Sequence, residues 1–294
     1  MGKKIKFLFG LLLCTGLTAI IIGGGVFFAR RVTAQAEKRI KAVETVPMTS
    51  FIELDDTSDI VLCAHRGLSA VMPENTLQAI EKAAQVGFKR VEFDIRETAD
   101  GQLVLMHDDK IDRMTDGSGR VSSYTVTELS RFTVDNGANI LEIEEKVRIP
   151  TLKETLELCK ESGITPVIEI KRMKDKGLRM LKKQLDDFSQ PAIVISCSEE
   201  LLRRYKEFDS DTELWLMTET LDAKTFRIAD ETGFTLSFKA SAVENISEII
   251  PIALEKGYSL AAWTVDDRED FVVLVNLGVK NIITNRILPG VQKN

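Results

Sequence analysis

"RVEFDIRETADGQLVLMH", residues 90–107, holds two apolar runs of strand length, "RVEFDI" (90–95) and "LVLMH" (103–107), joined only by "RETADGQ". A parallel crossover needs a dozen or more residues, so these runs form an antiparallel hairpin with "ADG" in its turn. That settles how the remaining runs are counted. The others are "IVLCA" (60–64), "PVIEI" (166–170), "AIVIS" (192–196), "ELWLM" (213–217), "FTLSF" (234–238), "SLAAWT" (259–264) and "NIIT" (281–284). With the second hairpin strand set aside, eight remain, most of them separated by amphipathic segments such as "PTLKETLELCKESG" and "VENISEIIPIALEKG". Near-continuous apolar strands interleaved with helices over residues 59–294 predict an α/β fold, a (β/α)8 TIM barrel, for which roughly 250 residues is typical. A doubly wound open sheet is the runner-up, but no GxGxxG or P-loop pattern follows any strand.

The N-terminal part is of another kind. Residues 7–29, "FLFGLLLCTGLTAIIIGGGVFFA", carry no charge, and Arg30 and Arg31 follow. About 20 apolar residues span a bilayer. "AQA" at 34–36 offers a signal-peptide cleavage pattern, yet the apolar run exceeds the roughly 7–15 residues of a signal core. An uncleaved transmembrane helix anchoring residues 1–31 is therefore expected, with a membrane-proximal spacer over 32–58 and the barrel over 59–294. Lys3, Lys4 and Lys6 compete with Arg30, Arg31, Lys38, Arg39 and Lys41, so charge leaves the orientation open. Resemblance to a Sec signal puts the barrel outside the cytoplasm, at the cell membrane.

A net charge of −6 argues against sequence-independent nucleic-acid binding, which rests on clustered Lys and Arg. The four cysteines (Cys14, Cys63, Cys159, Cys197) show no CxxC spacing, so neither a disulfide framework nor a zinc site is indicated. In a barrel of this kind chemistry gathers where strands end. The first strand ends in His65-Arg66-Gly67, the second carries Glu92 and Asp94, the hairpin ends in His107-Asp108, and "VIEIK" carries Glu169 and Lys171. Residues two apart on a strand share a face, so each pair projects together. Singly, each has a plain reading: a packed strand-end histidine, a solvated acidic edge, an inward ion pair. Charges inside apolar strands are costly unless paired or metal-bound, and their recurrence in two strands favours a site. Three carboxylates make a hard, oxygen-rich set suited to one divalent cation, Ca2+ or Mg2+. Arg66 and Lys171 suit phosphate oxygens, and two imidazoles supply a proton acceptor and a donor, the set that phosphodiester cleavage needs.

"AHRGLSAVMPENT", "VEFDIRETADGQLVLMHDDKIDRMT", "IPTLKETLEL", "VIEIK", "AAWTV" and "GVKNIITN" together closely resemble the glycerophosphodiester phosphodiesterase family over about residues 60–290. The resemblance implies a TIM barrel with one divalent cation that hydrolyses glycerophosphodiesters to sn-glycerol 3-phosphate and an alcohol. It further implies that His65 accepts a proton and His107 donates one. Glu92, Asp94 and Glu169 would be the metal ligands, and Arg66 and Lys171 the phosphate contacts. Attack by the neighbouring glycerol hydroxyl through a cyclic phosphate is the implied route; spacing alone does not separate it from direct attack by water. In "PENT", Asn75 or Thr76 reads as a helix cap as readily as a ligand; Glu74 is left outside the set, and Trp263 either meets substrate or plugs the barrel mouth. The last motif departs from the family pattern, with Asn281 in place of Gly and Asn285 in place of Asp; the expectation is that this affects the final loop and leaves the catalytic set intact. Two alternatives remain at this point. One is a lysophospholipase D working on lysophospholipids at the membrane surface; the other is a silent barrel that only binds phosphodiesters.

Overall fold

The computed structural model describes residues 52–53, 60–140, 143 and 145–289. The expected anchor over 1–31, and the spacer over 32–58 except for Ile52–Glu53, lie outside the described residues; among those described, no helix is long and apolar enough to cross a membrane. Ile52–Glu53 forms a short strand, β1, parallel to Ile287–Leu288, β11. The barrel begins with β2 (Val61–Ala64). β3 (Arg90–Glu97) and β4 (Leu103–Leu105) are the expected antiparallel hairpin, with Ile95 opposite Leu105 and Glu97 opposite Leu103. Thr98 N–H donates to Gln102 O at 2.9 Å across the turn, and Gly101 takes a positive φ of 77°.

The other strands are β5 (Thr165–Ile170), β6 (Ile193–Ser196), β7 (Glu213–Thr218), β8 (Thr235–Lys239), β9 (Leu260–Trp263) and β10 (Asn281–Thr284). Each is parallel to its neighbours, and pairing of β10 with β2 and of β2 with β3 closes eight strands into a barrel. β2 pairs only with the first two residues of β3, because it stops at Ala64. The freed upper edge of β3 is taken by β4. The hairpin thus delivers the residues after Leu105 to the place where β2 has just ended.

Strand residues alternate between two buried environments, which is why the runs read as continuously apolar. Cys63, Val167, Ile193, Ile195, Trp215 and Ile283 meet inside the barrel. Leu62, Val91, Phe93, Ile168, Leu236 and Ile282 face outward into the larger cluster beneath the helices. At the strand N-termini, Arg90 donates to Asn281 Oδ1 at 2.7 Å and lies 5.4 Å from the centre of the Trp215 ring. Asn281 therefore has a structural partner that glycine would lack.

Among the described residues the α-helices are α1 (Leu77–Gln85), α2 (Val126–Leu129), α3 (Leu152–Ser162), α4 (Asp175–Phe188), α5 (Glu199–Phe208), α6 (Ala223–Thr232), α7 (Ile246–Glu255) and α8 (Arg268–Asn276). α3 shows why such segments start and stop where they do. Thr151 accepts from Glu154 N at 3.2 Å while Glu154 accepts from Thr151 N at 2.8 Å, a capping box, and Gly163 ends the helix at φ 66°. Between β4 and α3 the chain makes a long excursion, with α2 and a separate apolar cluster of Met106, Ile111, Met114, Leu129, Val134 and Val147. In the sequence, "TDGSGR" and its surroundings lack a period of either kind.

Candidate active site

Glu92 and Asp94 rise from β3, and Glu169 stands directly beside Asp94 on β5. One carboxylate oxygen from each lies within 4.8 Å of the others, and the three residues are 3%, 0% and 5% exposed. Lys171, just past β5, places Nζ 2.8 Å from Asp94 Oδ1 and 2.5 Å from Glu169 Oε1. Asn75 clamps Asp94: its Nδ2 donates to Asp94 Oδ2 at 2.8 Å and its Oδ1 accepts from Asp94 N at 3.0 Å. Glu92 Oε2 accepts from Arg66 N at 2.9 Å, while Glu92 Oε1 is buried and accepts nothing.

The crowding shows in the electrostatics. Burial, then the charges of Asp94 and Glu169, push Glu92 well above the usual carboxylate range. Burial and Asp94 raise Glu169 to about 7. Burial acts the same way on Asp94, but Lys171 and Arg66 outweigh it and hold that group well below its ordinary value. Three carboxylates with one buried, unpartnered oxygen form a donor set that a hard divalent cation fits.

His65 follows β2, and its backbone N–H donates to Thr284 O at 2.9 Å. Its Nδ1 lies 2.9 Å from Asn285 Oδ1, and its Nε2 lies 3.9 Å from Glu92 Oε2. Burial and the adjacent Arg66 lower its pKa from the ordinary 6.5, favouring the neutral ring. The chain then turns sharply. Arg66 sits at φ 57° and Gly67 at φ 76°, and a Cβ on Gly67 would fall 2.6 Å from Ala79 Cβ on α1. Arg66 Nη1 donates to Glu74 Oε1 at 3.1 Å, and its Nε lies 3.5 Å from Asp94 Oδ2.

His107 arrives from the hairpin. Met106 N–H donates to Asp94 O at 3.0 Å, and the guanidinium of Arg96 holds the His107 carbonyl through Nε at 3.1 Å and Nη2 at 2.5 Å. The His107 Nδ1 meets Asp108 Oδ1 at 2.7 Å. Arg113 donates to Asp108 Oδ2 at 2.6 Å and to Glu74 Oε1 at 2.6 Å, so a continuous charged chain runs Arg66–Glu74–Arg113–Asp108–His107. Hydrogen bonds to Arg113 pull Asp108 down to about 2. Beside Glu169 and Lys171 a cavity of about 420 Å³ opens, lined also by Arg172, Cys197 and Ser198.

The seven predicted residues, His65, Arg66, Glu92, Asp94, His107, Glu169 and Lys171, thus meet at one end of the barrel. The sequence reading missed the roles of Glu74, Arg96, Asp108 and Arg113. In "PENT", Thr76 is the helix cap, accepting from Ala79 N at 3.2 Å, whereas Asn75 belongs to the site. Trp263 donates to Ser237 O at 2.8 Å and packs against the interior cluster, which favours the plug. The departure at Asn285 reaches beyond the final loop, since Asn285 touches His65 directly.

Comparison with known proteins gives a consistent picture. A glycerophosphodiester phosphodiesterase of Caldanaerobacter subterraneus subsp. tengcongensis is 30% identical over 232 residues, covering 76% of this chain and 93% of that protein. The human glycerophosphodiester phosphodiesterase 1 is 34% identical over 196 residues, 63% of this chain and 59% of the human protein. Among solved structures, an Oleispira antarctica phosphodiesterase in complex with the product sn-glycerol-3-phosphate aligns with a TM-score of 0.69 at 24% identity, covering 76% of this chain and 92% of that one. That likeness speaks for the fold. The model of the glycerophosphoryl diester phosphodiesterase family matches residues 65–288, from the first histidine to the end of β11, and the chain belongs to that family.

Proposed function

We propose that this enzyme hydrolyses glycerophosphodiesters to sn-glycerol 3-phosphate and an alcohol, with Glu92, Asp94 and Glu169 holding one divalent cation, Ca2+ or Mg2+. The observation that carries this reading is the buried carboxylate cluster with a histidine on either side. Fully ionised, three carboxylates against Arg66 and Lys171 leave one negative charge; a dication would reverse that sign, and a phosphodiester monoanion would restore neutrality. A cation bound there supplies Lewis-acid polarisation of a phosphoryl oxygen.

The chain's own residues do the rest. Arg66 and Lys171 take phosphate oxygens and orient the phosphorus. His65, neutral and with Nε2 facing the carboxylates, accepts the proton of the attacking hydroxyl, which is either water or the neighbouring glycerol hydroxyl; on the second route water then opens the cyclic phosphate to sn-glycerol 3-phosphate with the two histidines in exchanged roles. His107 gives a proton to the departing alkoxide, and Asp108 on its Nδ1 orients the ring for this. The cavity beside Lys171 has room for the alcohol portion. The relatives' shared name supports a glycerophosphodiester over a lysophospholipid, and the assembled histidines and carboxylates speak against a silent binder.

The test is release of choline and sn-glycerol 3-phosphate from glycerophosphocholine by the full chain. Turnover should vanish with a chelator, return with Ca2+ or Mg2+, and be abolished by His65→Ala or Glu169→Ala in folded protein. Undiminished turnover in either variant would refute the assigned site. We also propose residues 1–31 as a single-pass anchor, 32–58 as a spacer and 59–294 as a barrel domain at the cell membrane, outside the cytoplasm. The uncharged run 7–29 between basic residues supports this. Extraction of the protein by alkaline carbonate, or its resistance to external protease in intact cells, would count against it.

A further inference from the structure

Asn285 is bound on every polar atom of its side chain, and its partners leave it one orientation. Asp266 is an acceptor, and both its oxygens are directed at this corner. Its Oδ2 accepts from Asn285 Nδ2 at 2.6 Å, and its Oδ1 accepts from Asn285 N at 2.7 Å and from Thr284 Oγ1 at 3.1 Å. A carboxylate oxygen can face the amide only through its NH2 group, so Asn285 Oδ1 must point the other way. There it meets Ser69 Oγ at 2.8 Å and His65 Nδ1 at 2.9 Å. A carbonyl oxygen has no proton to give, so the proton in the second contact sits on His65 Nδ1. Its Nε2, on the side of Glu92, is then left with a lone pair.

We propose that Asn285 is a positioning residue that, oriented by Asp266, fixes His65 as the Nδ1–H tautomer and aims its Nε2 lone pair at the reacting hydroxyl. This rests on the reading of His65 as proton acceptor. An amide in this position cannot take the proton from Nδ1. It receives the Nδ1 hydrogen bond but takes no proton, so the only basic site His65 offers substrate is Nε2. Asp266 acts on the chemistry only through the amide.

The experiment uses the full chain labelled with 15N-histidine. With only two histidines in the sequence, a His107→Gln variant assigns both rings. At a pH where the rings are neutral, His65 should show a protonated Nδ1 and an unprotonated Nε2. Asn285→Ala should give a mixture of tautomers and a fall in kcat of about 10²-fold, the scale of a misdirected catalytic group, with KM within about threefold. Asp266→Asn frees the amide to turn over and should lower the Nδ1–H fraction, which keeps the test open if Asn285→Ala does not fold. An Nε2–H tautomer in the wild type overturns the proposal. So does an Asn285→Ala or Asp266→Asn protein with an unchanged tautomer and kcat. Because the spectrum is read without turnover, a wild-type chain that shows the tautomer but hydrolyses no glycerophosphodiester would sink the assigned function instead.

Discussion

Glu169 gives the proposed cation site a thermodynamic signature that can be read without substrate. Burial and the charge of Asp94 raise its pKa from the ordinary 4.5 to about 7. A carboxylate raised in the fold stabilises it below the unfolded value, and that contribution is lost as pH rises through the folded value. The lost amount, from 4.5 to about 7, corresponds to about 3 kcal/mol. Chelated protein should therefore lose stability between about pH 4.5 and pH 8. At about 2–4 °C per kcal/mol for a domain of this size, its Tm should fall by about 6–12 °C. If a divalent cation binds the ionised cluster as proposed, it should restore most of that loss at pH 8, about 2.7 kcal/mol at a hundredfold excess over Kd, and much less at pH 5. Thermal unfolding followed by the fluorescence of Trp215 and Trp263, with chelator or with Ca2+ or Mg2+ across this range, makes the measurement. Glu169→Gln should reduce the pH dependence of the chelated protein, with the raised Glu92 keeping its own part. A chelated Tm that holds steady or rises towards pH 8, with no larger cation effect there than at pH 5, would refute the reasoning.

Gly67→Ala should destabilise by about 3 kcal/mol or more in urea titrations, since it combines a left-handed backbone with a Cβ 2.6 Å from Ala79. Arg113→Met should lower kcat by about ten- to a hundredfold while leaving cation affinity, measured by calorimetry, close to wild type, because it loosens His107 and not the carboxylates. Asp209 is pushed up by burial, but hydrogen bonds from Thr212 and Tyr205 prevail and hold it below its ordinary 3.8. Its contribution is present above pH 3.8 and is lost as pH falls through the lower folded value. Asp209→Ala should cost about 1–2 kcal/mol near neutrality, and the difference from wild type in Tm should shrink in acid.

The barrel strands were legible because both faces of each are buried, which leaves apolar runs with few interruptions, and the seven-residue link after Ile95 admits one geometry. Glu92, Asp94 and Glu169 stood out for the same reason, as charges where the surrounding pattern has none. Asp108 and Arg113 did not, since they arrive on a segment without strand or helix period, and acidic or basic residues are ordinary there. Glu74 and Arg113 are 39 positions apart and meet only in the folded chain. Asn285 could be seen as a departure, but its distance of 220 positions from His65 hid what the departure touches.

The chain of contacts from Arg66 through Glu74 and Arg113 to His107 also bears on heredity. Glu74 lies on the barrel proper, while Arg113 and Asp108 belong to the excursion after β4. The excursion has its own apolar cluster and looks like a unit that could be exchanged between relatives. Its ion pairs make it less portable. A graft lacking a cation for Glu74 would leave Arg66 as that carboxylate's remaining guanidinium partner, drawing it from the phosphate contact proposed for it, and would leave Asp108's successor without its brace. Substitutions at 74, 108 and 113 should therefore be epistatic, and a chimaera that moves the excursion alone should fail where one carrying residue 74 with it succeeds.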